Sequence, residues 1–483
     1  DVESRRVERE KAIAEIDRTI DDAIDAAFRG DLERAIQHVD EAESISLERL
    51  GQPGSERVWS HMIPGIVSLY GNYGASRGEF SDAVVYFERA HQREPDNISA
   101  TALLSVANLW SGGWQDYRLT VAEIEDVPTP DDPIERFFLG QAFLWLDSGR
   151  AVELIEPVRK DTYWANSPVV SIMYAEALGH HAWHTNSAML VEKSVEEGKR
   201  AAFITDDLPG PVAISNWAHM VAVSLRKAAD EPYDDLLRES EPFALKLSDP
   251  KFSSLVIGYP CRAWYYDALG EEGNTTAINL LRECMEKHQS SGWIAGMYAA
   301  EMYRFGRSVE ALEVLDRIDE ERRDSAVDAS RAFLIWDTQK TDGLDEIEGI
   351  CRKHELRAIE KRDSLSAAAV ASIRLLVGDV DSARQFVKKL RSVEPAVGPD
   401  YLAFLDDKTP EDVLQRLSGQ RMNECLARYM MGLFHLAEDE AGGSEKARDI
   451  LEPAVKAGGL NINPQTHWIR AVYERIQEQA PQN

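Results

Sequence analysis

The feature of this sequence that most restricts its fold is a pattern of small and aromatic residues that recurs at intervals of roughly 34 residues. The clearest copy, residues 64–97, contains in order Gly71, Gly78, Phe80, Ala83, Phe87, Ala90 and Pro95. Small residues let two antiparallel helices approach closely, glycine permits the turn between them, and aromatic rings fill the remaining space. Proline then ends the second helix. The pattern therefore predicts a hairpin of two helices.

Similar patterns follow along most of the chain. Glycine fills the turn position in further copies: Gly30, Gly112, Gly149, Gly273, Gly306 and Gly378. A small residue lies early in the second helix of most copies: Ala35, Ala151, Ala277, Ala311, Ala383 and Ala447. Since a single hairpin cannot bury its apolar face alone, successive hairpins are expected to stack around a continuous core.

These units resemble the tetratricopeptide repeat (TPR), and the resemblance is best over residues 64–97, 292–325 and 364–397. It implies an all-α fold, a right-handed superhelical solenoid of antiparallel helix hairpins whose concave groove binds a peptide or a folded partner. The C-terminal half also loosely resembles the repeat tails that follow the catalytic domain in some large bacterial Ser/Thr kinases.

Three regions are expected along the chain. Residues 1–159 form an N-terminal TPR-like array with a long first helix, because apolar residues recur there at helical spacing up to Phe28. Residues 160–250 contain helical segments without regular spacing, and residues 251–483 form a C-terminal TPR-like array. The last helix should turn Trp468 and Val472 inward and polar residues outward, so that it caps the array.

The charge balance disfavours anionic partners. The chain has 54 Lys and Arg against 84 Asp and Glu, a formal net charge of −30. A field of this sign repels phosphate backbones and lipid headgroups, so we expect neither nucleic-acid binding nor binding to a membrane surface. Because no window approaches 18 uninterrupted apolar residues, we expect no membrane insertion of this sequence either. The acidic residues are spread over many helical segments, which favours a solvated outer face; attraction for basic partners is the alternative.

The cysteines and the first residue bear on the compartment. Cys261, Cys284, Cys351 and Cys425 are widely spaced, which predicts buried thiols of a reduced, cytoplasmic protein. The sequence begins at Asp1 rather than Met, which predicts that an upstream segment has been removed. An extracytoplasmic location through such a segment is the alternative.

Motifs that carry chemistry are scarce. The sequence contains no P-loop, no kinase signature, no G-x-S-x-G and no H-E-x-x-H, so we expect no catalytic residue, no cofactor and no enzymatic activity. His180 and His184 are four residues apart, a spacing at which two imidazoles can share a zinc ion. Packing of these histidines at a helix turn is the favoured interpretation.

The TPR resemblance also implies which residues face the groove. By position in the repeat these are Ser68, Asn72, Ser76, Trp293 and Arg304. We expect a scaffold or adaptor that binds a protein or peptide segment there. The alternatives are a regulatory or sensor module of a larger signalling protein, such as a bacterial Ser/Thr kinase, and a metal-binding or enzymatic helical-repeat protein. The pattern specifies neither the individual partner nor the oligomeric state.

Overall fold

The structure is a computed structural model. It describes residues 2–51, 56–71, 80–110, 114–204, 209–250, 258–287, 292–320, 323–360, 364–393, 400–406, 409–418, 421–438, 443–456 and 464–479. In these ranges the chain forms helices joined by turns, with no β-strand. The fold is therefore all-α, as the repeat pattern predicts. No helix in this part of the chain is long and apolar enough to cross a lipid bilayer.

In chain order the α-helices are α1 (Val2–Phe28), α2 (Leu32–Ile45), α3 (Glu56–Ile66), α4 (Ser81–Arg93), α5 (Ile98–Trp110), α6 (Trp114–Glu123), α7 (Pro133–Phe143), α8 (Ser148–Lys160), α9 (Pro168–Thr185), α10 (Ala188–Ile204), α11 (Pro209–Ala228), α12 (Asp234–Lys246), α13 (Gly258–Ala268), α14 (Glu271–Lys287), α15 (Gly292–Arg304), α16 (Ser308–Asp316), α17 (Ser325–Gln339), α18 (Leu344–Glu360), α19 (Ser364–Leu376), α20 (Val380–Val393), α21 (Pro410–Arg416), α22 (Arg421–Ala437), α23 (Gly443–Lys456) and α24 (Pro464–Gln479). The π-helical segments Ser46–Leu50 and Val67–Gly71 extend α2 and α3, and 3-10 segments cover Trp164–Asn166, Lys340–Gly343 and Asp400–Leu405.

The chain divides into two compact units. The first comprises Asp1–Ala182, Met189–Ala218 and Leu245–Gly258, and the second comprises Trp183–Ala188, His219–Ala244 and Tyr259–Asn483. The helical segments predicted within residues 160–250 are present as α9, α10, α11 and α12. The expected division into the regions 1–159, 160–250 and 251–483 stays a prediction.

Within each unit the helices pack as stacked hairpins. In the first unit α1 packs against α2 and α3, α3 against α4, α5 against α6 and α7, and α7 against α8. In the second, α15 packs against α16 and α17, α17 against α18 and α19, and α19 against α20 and α22. Each first helix thus contacts both its own partner and the first helix of a neighbouring hairpin, which is the arrangement of TPR-like arrays.

Glycines make several of the turns between paired helices. Gly30, Gly306 and Gly378 have φ of 78°, 66° and 82°, in the left-handed region that favours glycine. These three confirm the predicted turn positions. Gly273, in contrast, lies inside α14, and Gly270 with φ of 84° makes that turn instead. The predicted turn residues Gly78 and Gly112 lie outside the described part of the chain.

Small residues lie where paired helices cross. The predicted alanines of the second helices include six with no exposed surface: Ala35, Ala83, Ala151, Ala311, Ala383 and Ala447. On the first helices the crossing is made by glycine. A β-carbon on Gly140 would lie 2.7 Å from Ile155 Cγ1, and one on Gly432 would lie 2.7 Å from Leu451 Cγ. Both distances are too short for carbon atoms, so these helix pairs depend on the missing side chain.

The inner side of the first unit is filled by aromatic side chains. Phe28, at the end of α1, lies edge-on to Tyr70 with ring centroids 4.9 Å apart and to Trp164 at 6.0 Å. The Tyr163 hydroxyl donates a 2.8 Å hydrogen bond to Asp22 of α1. These contacts join the first helix to residues late in the unit, so the hairpins close around an aromatic core.

A pair of glycine substitutions tests the helix crossings. We expect Gly432→Ala to destabilise the protein by about 1–3 kcal/mol, because the added methyl group must displace the buried Leu451 side chain. Gly349→Ala is the matched control: Gly349 lies inside α18 with no atom within 4 Å of an added β-carbon. It should stabilise by about 0.5–1 kcal/mol through helix propensity. Urea unfolding measures both. Equal effects of the two substitutions would contradict the assigned crossing of α22 and α23.

Candidate functional site

The five predicted partner-binding residues lie in different surroundings. Ser68 lies half-buried in the π-helical extension of α3. Asn72 and Ser76 fall outside the described residues. Trp293 lies in the first turn of α15, but its side chain is not part of the described structure. Arg304 is the last residue of the same helix and has a well-defined environment.

Arg304 belongs to an ion-pair network between helices. Its side chain is only 7% exposed and pairs with Glu301 of α15 at 2.6 Å and with Asp267 of α13 at 3.2 Å. It also pairs with Glu474, which belongs to the C-terminal helix α24. The arginine that was predicted to face a partner therefore contacts a helix of its own chain.

Two further polar groups of α24 reach the same carboxylates. His467 Nδ1 lies 2.8 Å from Glu301 Oε1, and both side chains are less than a tenth exposed. Arg470 pairs with Asp267. Sequence analysis expected the polar residues of this helix to face solvent, and this expectation was wrong for His467 and Arg470. Their partners on α13 and α15 are distant in sequence, so the pairings could not be read from local spacing.

An aromatic anchor and a second arginine place α24 against α17. Trp468 is buried, as predicted, its indole N–H donates to Ser330 Oγ at 3.2 Å, and its ring lies 4.5 Å from the ring of Phe333. Two turns further on, Arg475 lies 3.8 Å from Asp337. Trp468 and Arg475 therefore lie on one side of α24 and contact α17 together.

We call the surface that α24 covers the inner face of the second unit. It consists of Asp267, Glu301, Tyr303, Arg304, Ser330, Phe333 and Asp337. These residues lie on α13, α15 and α17, and the latter two are first helices that pack side by side. First helices line the concave side of TPR-like arrays. A helix of the chain itself thus occupies the position that the TPR resemblance assigns to a partner.

Two groups of the α24 contact, Glu301 and Arg470, keep their charged forms in spite of burial. Burial alone would raise the pKa of Glu301, but the hydrogen bond from His467 and the positive charges of Arg304 and Arg470 hold that pKa well below its usual range. Burial would lower the pKa of Arg470, but nearby carboxylates, Asp267 foremost, raise it further. Glu301 and Arg470 therefore each contribute a full charge to the α24 contact.

The ion pairs of the inner face add little net stability but make the contact sensitive to the register of the helix. Buried ion pairs gain little net free energy because desolvation offsets the attraction, whereas an unpaired charge in the same place costs about 3–5 kcal/mol. A helix that presents cations and an aromatic ring in the register of α24 satisfies every carboxylate. A helix shifted by one residue would leave them without partners.

A second cluster in this unit has the composition of a hydrolytic triad, which sequence analysis did not identify. His354 Nδ1 lies 3.1 Å from Ser366 Oγ, and His354 Nε2 lies 3.0 Å from Asp328 Oδ2. All three residues are at most 2% exposed, and Lys353 pairs with the same Asp328 oxygen at 2.7 Å. A nucleophile needs access for a substrate carbonyl, which the buried Ser366 hydroxyl lacks. The cluster joins α17, α18 and α19 as part of the core.

The two histidines of the zinc hypothesis have separate environments. His180 is 2% exposed and packs between rings, 4.3 Å from Trp145 and 5.3 Å from Trp217. His184 lines a surface cleft of about 390 Å³ together with Arg428 and other residues of α22 and α23. Among the described residues, no three His, Cys, Asp or Glu side chains are gathered as a metal site would require. The packing interpretation accounts for His180.

The cysteines are buried, as predicted, and carry no disulfide. Burial raises the pKa of Cys284 and of Cys351 to about 12. A thiol acts as a nucleophile in its ionised form, so these two side chains are unreactive at neutral pH.

Carboxylates crowd together in the first unit. Burial, and then the negative charges of Asp132, Asp17 and further neighbours, raise the pKa of Asp21 to about 7. Asp132 is fixed in place because it caps α7 by accepting from the backbone N–H groups of Ile134 and Glu135. Because the folded state disfavours the charged carboxylate, ionisation of Asp21 lowers the free energy of unfolding of this unit.

The raised pKa of Asp21 predicts a pH-dependent effect on stability. Because the folded state binds the proton more tightly than the unfolded chain, the stabilisation is complete below about pH 4 and is lost as the pH rises through 7. Asp21→Asn cannot ionise, so at pH 8 it should be more stable than the unaltered protein by about 1–3 kcal/mol, allowing for partial solvent screening. Near pH 4 the two proteins should unfold alike, which serves as the internal control. A constant difference across this range, measured by thermal unfolding, would contradict the interpretation.

Comparisons with known proteins give a likeness in structure alone. No protein family matches the chain, and no curated protein matches it. Among solved structures, yeast Tom70 is 12% identical with a TM-score of 0.37, and the alignment covers 98% of each chain. Human IFIT1 with m7Gppp-AAAA is 12% identical with a TM-score of 0.34, covering 83% of this chain and 90% of that one. The TPR domain of P58(IPK) is 15% identical with a TM-score of 0.19, covering 76% and 98%. These values establish no functional relationship.

The sequence of α24 indicates which of its polar side chains share a face, but not what that face contacts. His467, Arg470 and Glu474 follow one another at helical spacing on the side of the helix that carries Trp468. A purely capping helix would place such groups on the opposite side. Their partners could not have been named, because the pairs with Glu301 and Asp267 join residues 166 and 203 positions apart.

Proposed function

We propose that this chain is a non-catalytic protein-interaction scaffold whose second unit binds a helical segment of another protein on its inner face. The observation that carries the proposal is that this face already holds a helix, α24, through side chains of α13, α15 and α17. A surface that orders one amphipathic helix can order another of similar chemistry.

The contacts have the composition of a binding site for a protein helix. Tryptophan and arginine are the residues that most often dominate the free energy of protein interfaces, and Trp468 and Arg470 make the central contacts. Charge pairs around such an anchor add specificity of register. The remaining predicted contacts, Ser68, Asn72, Ser76 and Trp293, stay proposals by position in the repeat.

Other functions have less support. The carboxylates of the inner face, with the net charge of −30, disfavour nucleic acid as a partner. An enzymatic role would require an accessible nucleophile, and Ser366, His354 and Asp328 are buried. A regulatory or sensor module of a larger signalling protein, such as a bacterial Ser/Thr kinase, is the alternative and would use the same face. A cytoplasmic location stays a prediction.

Site-directed photo-crosslinking in the source cells tests the proposal. Phe305 follows Arg304 at the edge of the inner face, is 40% exposed, and lies 4.5 Å below the Arg304 guanidinium. We expect benzoylphenylalanine in place of Phe305 to form a covalent adduct with a defined protein. Sequencing of the crosslinked peptide should find a segment that is amphipathic as a helix.

Leu356 provides the matched control for this experiment. It is 58% exposed and lies on α18, away from the contacts of α24. The same photoreactive residue at position 356 should give no adduct with that protein. Adducts at 356 without adducts at 305 would place the partner on another surface and contradict the proposal.

A further inference from the structure

We propose that α24 is a displaceable internal ligand, and that the partner which replaces it is an amphipathic helix presenting an aromatic ring flanked by cations. This inference rests on the proposed function, since it concerns the same inner face. It adds the chemistry of the partner and the competition that the partner must overcome.

The partner chemistry follows from what the inner face offers. Its charged groups are the carboxylates of Asp267, Glu301 and Asp337 and the cation Arg304, and Lys227 of α11 lies close enough to interact with Asp267 and Arg304. Three acidic groups against two basic ones still favour a ligand with an excess of positive charge, such as the Arg470 and Arg475 pair of α24. Between them, Phe333 and the Ser330 hydroxyl receive the ring and the N–H of an indole.

The spacing of these groups fixes the form of the ligand. In α24 the contacting residues lie at positions i, i+1, i+3, i+7 and i+8, namely His467, Trp468, Arg470, Glu474 and Arg475. These positions share one side of an α-helix and would point in several directions in an extended peptide. The partner segment is therefore helical when bound.

Displacement of α24 is an exchange of one helix for another, because α24 is held by apolar as well as polar contacts. Besides Trp468, four apolar residues of α24 are at most 8% exposed: Ile469, Ala471, Val472 and Ile476. The ion pairs with α13 and α15 can exchange their partners for water, but the buried apolar area cannot. A partner helix must therefore bury a comparable apolar surface when it replaces α24.

Attachment to the same chain makes α24 a strong competitor. A tethered ligand acts at an effective concentration of order millimolar, so a free helix of equal affinity binds the unaltered chain weakly. Weakening the tethered helix without touching the inner face should expose the site. The apparent affinity of a free helix should rise by the same factor.

Binding of a synthetic peptide to the full-length chain tests this. The probe is a fluorescein-labelled peptide with the sequence of residues 464–479, and fluorescence anisotropy measures its affinity. We expect Arg470→Glu, which reverses the charge that pairs with Asp267, to bind this peptide at least about tenfold more tightly than the unaltered chain. Arg352→Glu, on the 74% exposed side chain of α18, is the matched control and should bind like the unaltered chain.

Reversing the charge on the face itself tests the partner chemistry. In Asp267→Arg the face should now prefer a peptide that carries the Arg470→Glu change over the original peptide. The Arg470→Glu chain should show the opposite preference. The same peptide preference in both variants would overturn the proposed chemistry.

Hydrogen exchange of the unaltered chain gives a test that does not depend on variants folding. Amides of α24 should exchange through a local opening, faster than amides of α15 and α17. If the amides of α24 exchange only together with those of α15, in global unfolding, α24 is not displaceable.

The crosslinking and peptide-binding experiments distinguish failure of this inference from failure of the proposed function. Photo-adducts at position 305 without peptide binding by either variant would refute this inference and leave the proposed scaffold function standing. Peptide binding without any adduct would show that the inner face accepts a free helix, but it would contradict the proposed scaffold function and with it the external partner.

Discussion

Close approach of two helices within each hairpin is the constraint on which the rest of this structure depends. Where Gly140 meets Ile155 and Gly432 meets Leu451, the space is too small for even one more carbon atom. Helices so close bury a narrow seam and leave apolar surface on either side of the hairpin. That surface is covered by the next hairpin, so close pairing leads to stacking, and stacking of first helices side by side produces an inner side in each unit.

The two units fill their inner sides with different chemistry. The first unit uses aromatic rings, with Phe28 of the first helix against Tyr70 and Trp164. Apolar burial of this kind is favourable for any ring that fits and opposes reopening. The second unit uses charge pairs with Asp267 and Glu301 around one tryptophan. These charge pairs form only when the side chains of the bound helix are in the correct register, so they favour one helix sequence over another.

The periodic part of the fold could be predicted from sequence, and the contacts between distant segments could not. Gly30, Gly306 and Gly378 were predicted turns because a glycine between two helical patterns has a local cause, the left-handed backbone. Gly273 falls in register with these glycines, but Gly270, three residues earlier, has the left-handed backbone that makes the turn. Local patterns thus locate hairpins to within a few residues.

The contacts of the candidate site could not be predicted from the repeat pattern, because they join segments that are distant in sequence. Arg304 was predicted to face the groove from its position in the repeat, but whether the groove is empty is decided by α24, which lies 160 or more residues further along the chain. The side chains of α24 that make the contact are ordinary for a surface helix. Their role follows only from the carboxylates opposite them, which no local pattern brings together.

The retention of charge on the inner face is informative in itself. Apolar residues of similar volume at Asp267, Glu301 and Arg470 would hold a permanent capping helix at least as firmly, because they avoid the desolvation of ions. They would also leave a large apolar patch on the protein whenever the helix moved away, and such patches promote non-specific association. A face on which charges accompany the rings of Tyr303 and Phe333 would be hydrated more readily if the helix moved away. The composition of the inner face therefore suits a surface that exchanges one helix for another better than a surface that is covered once, during folding.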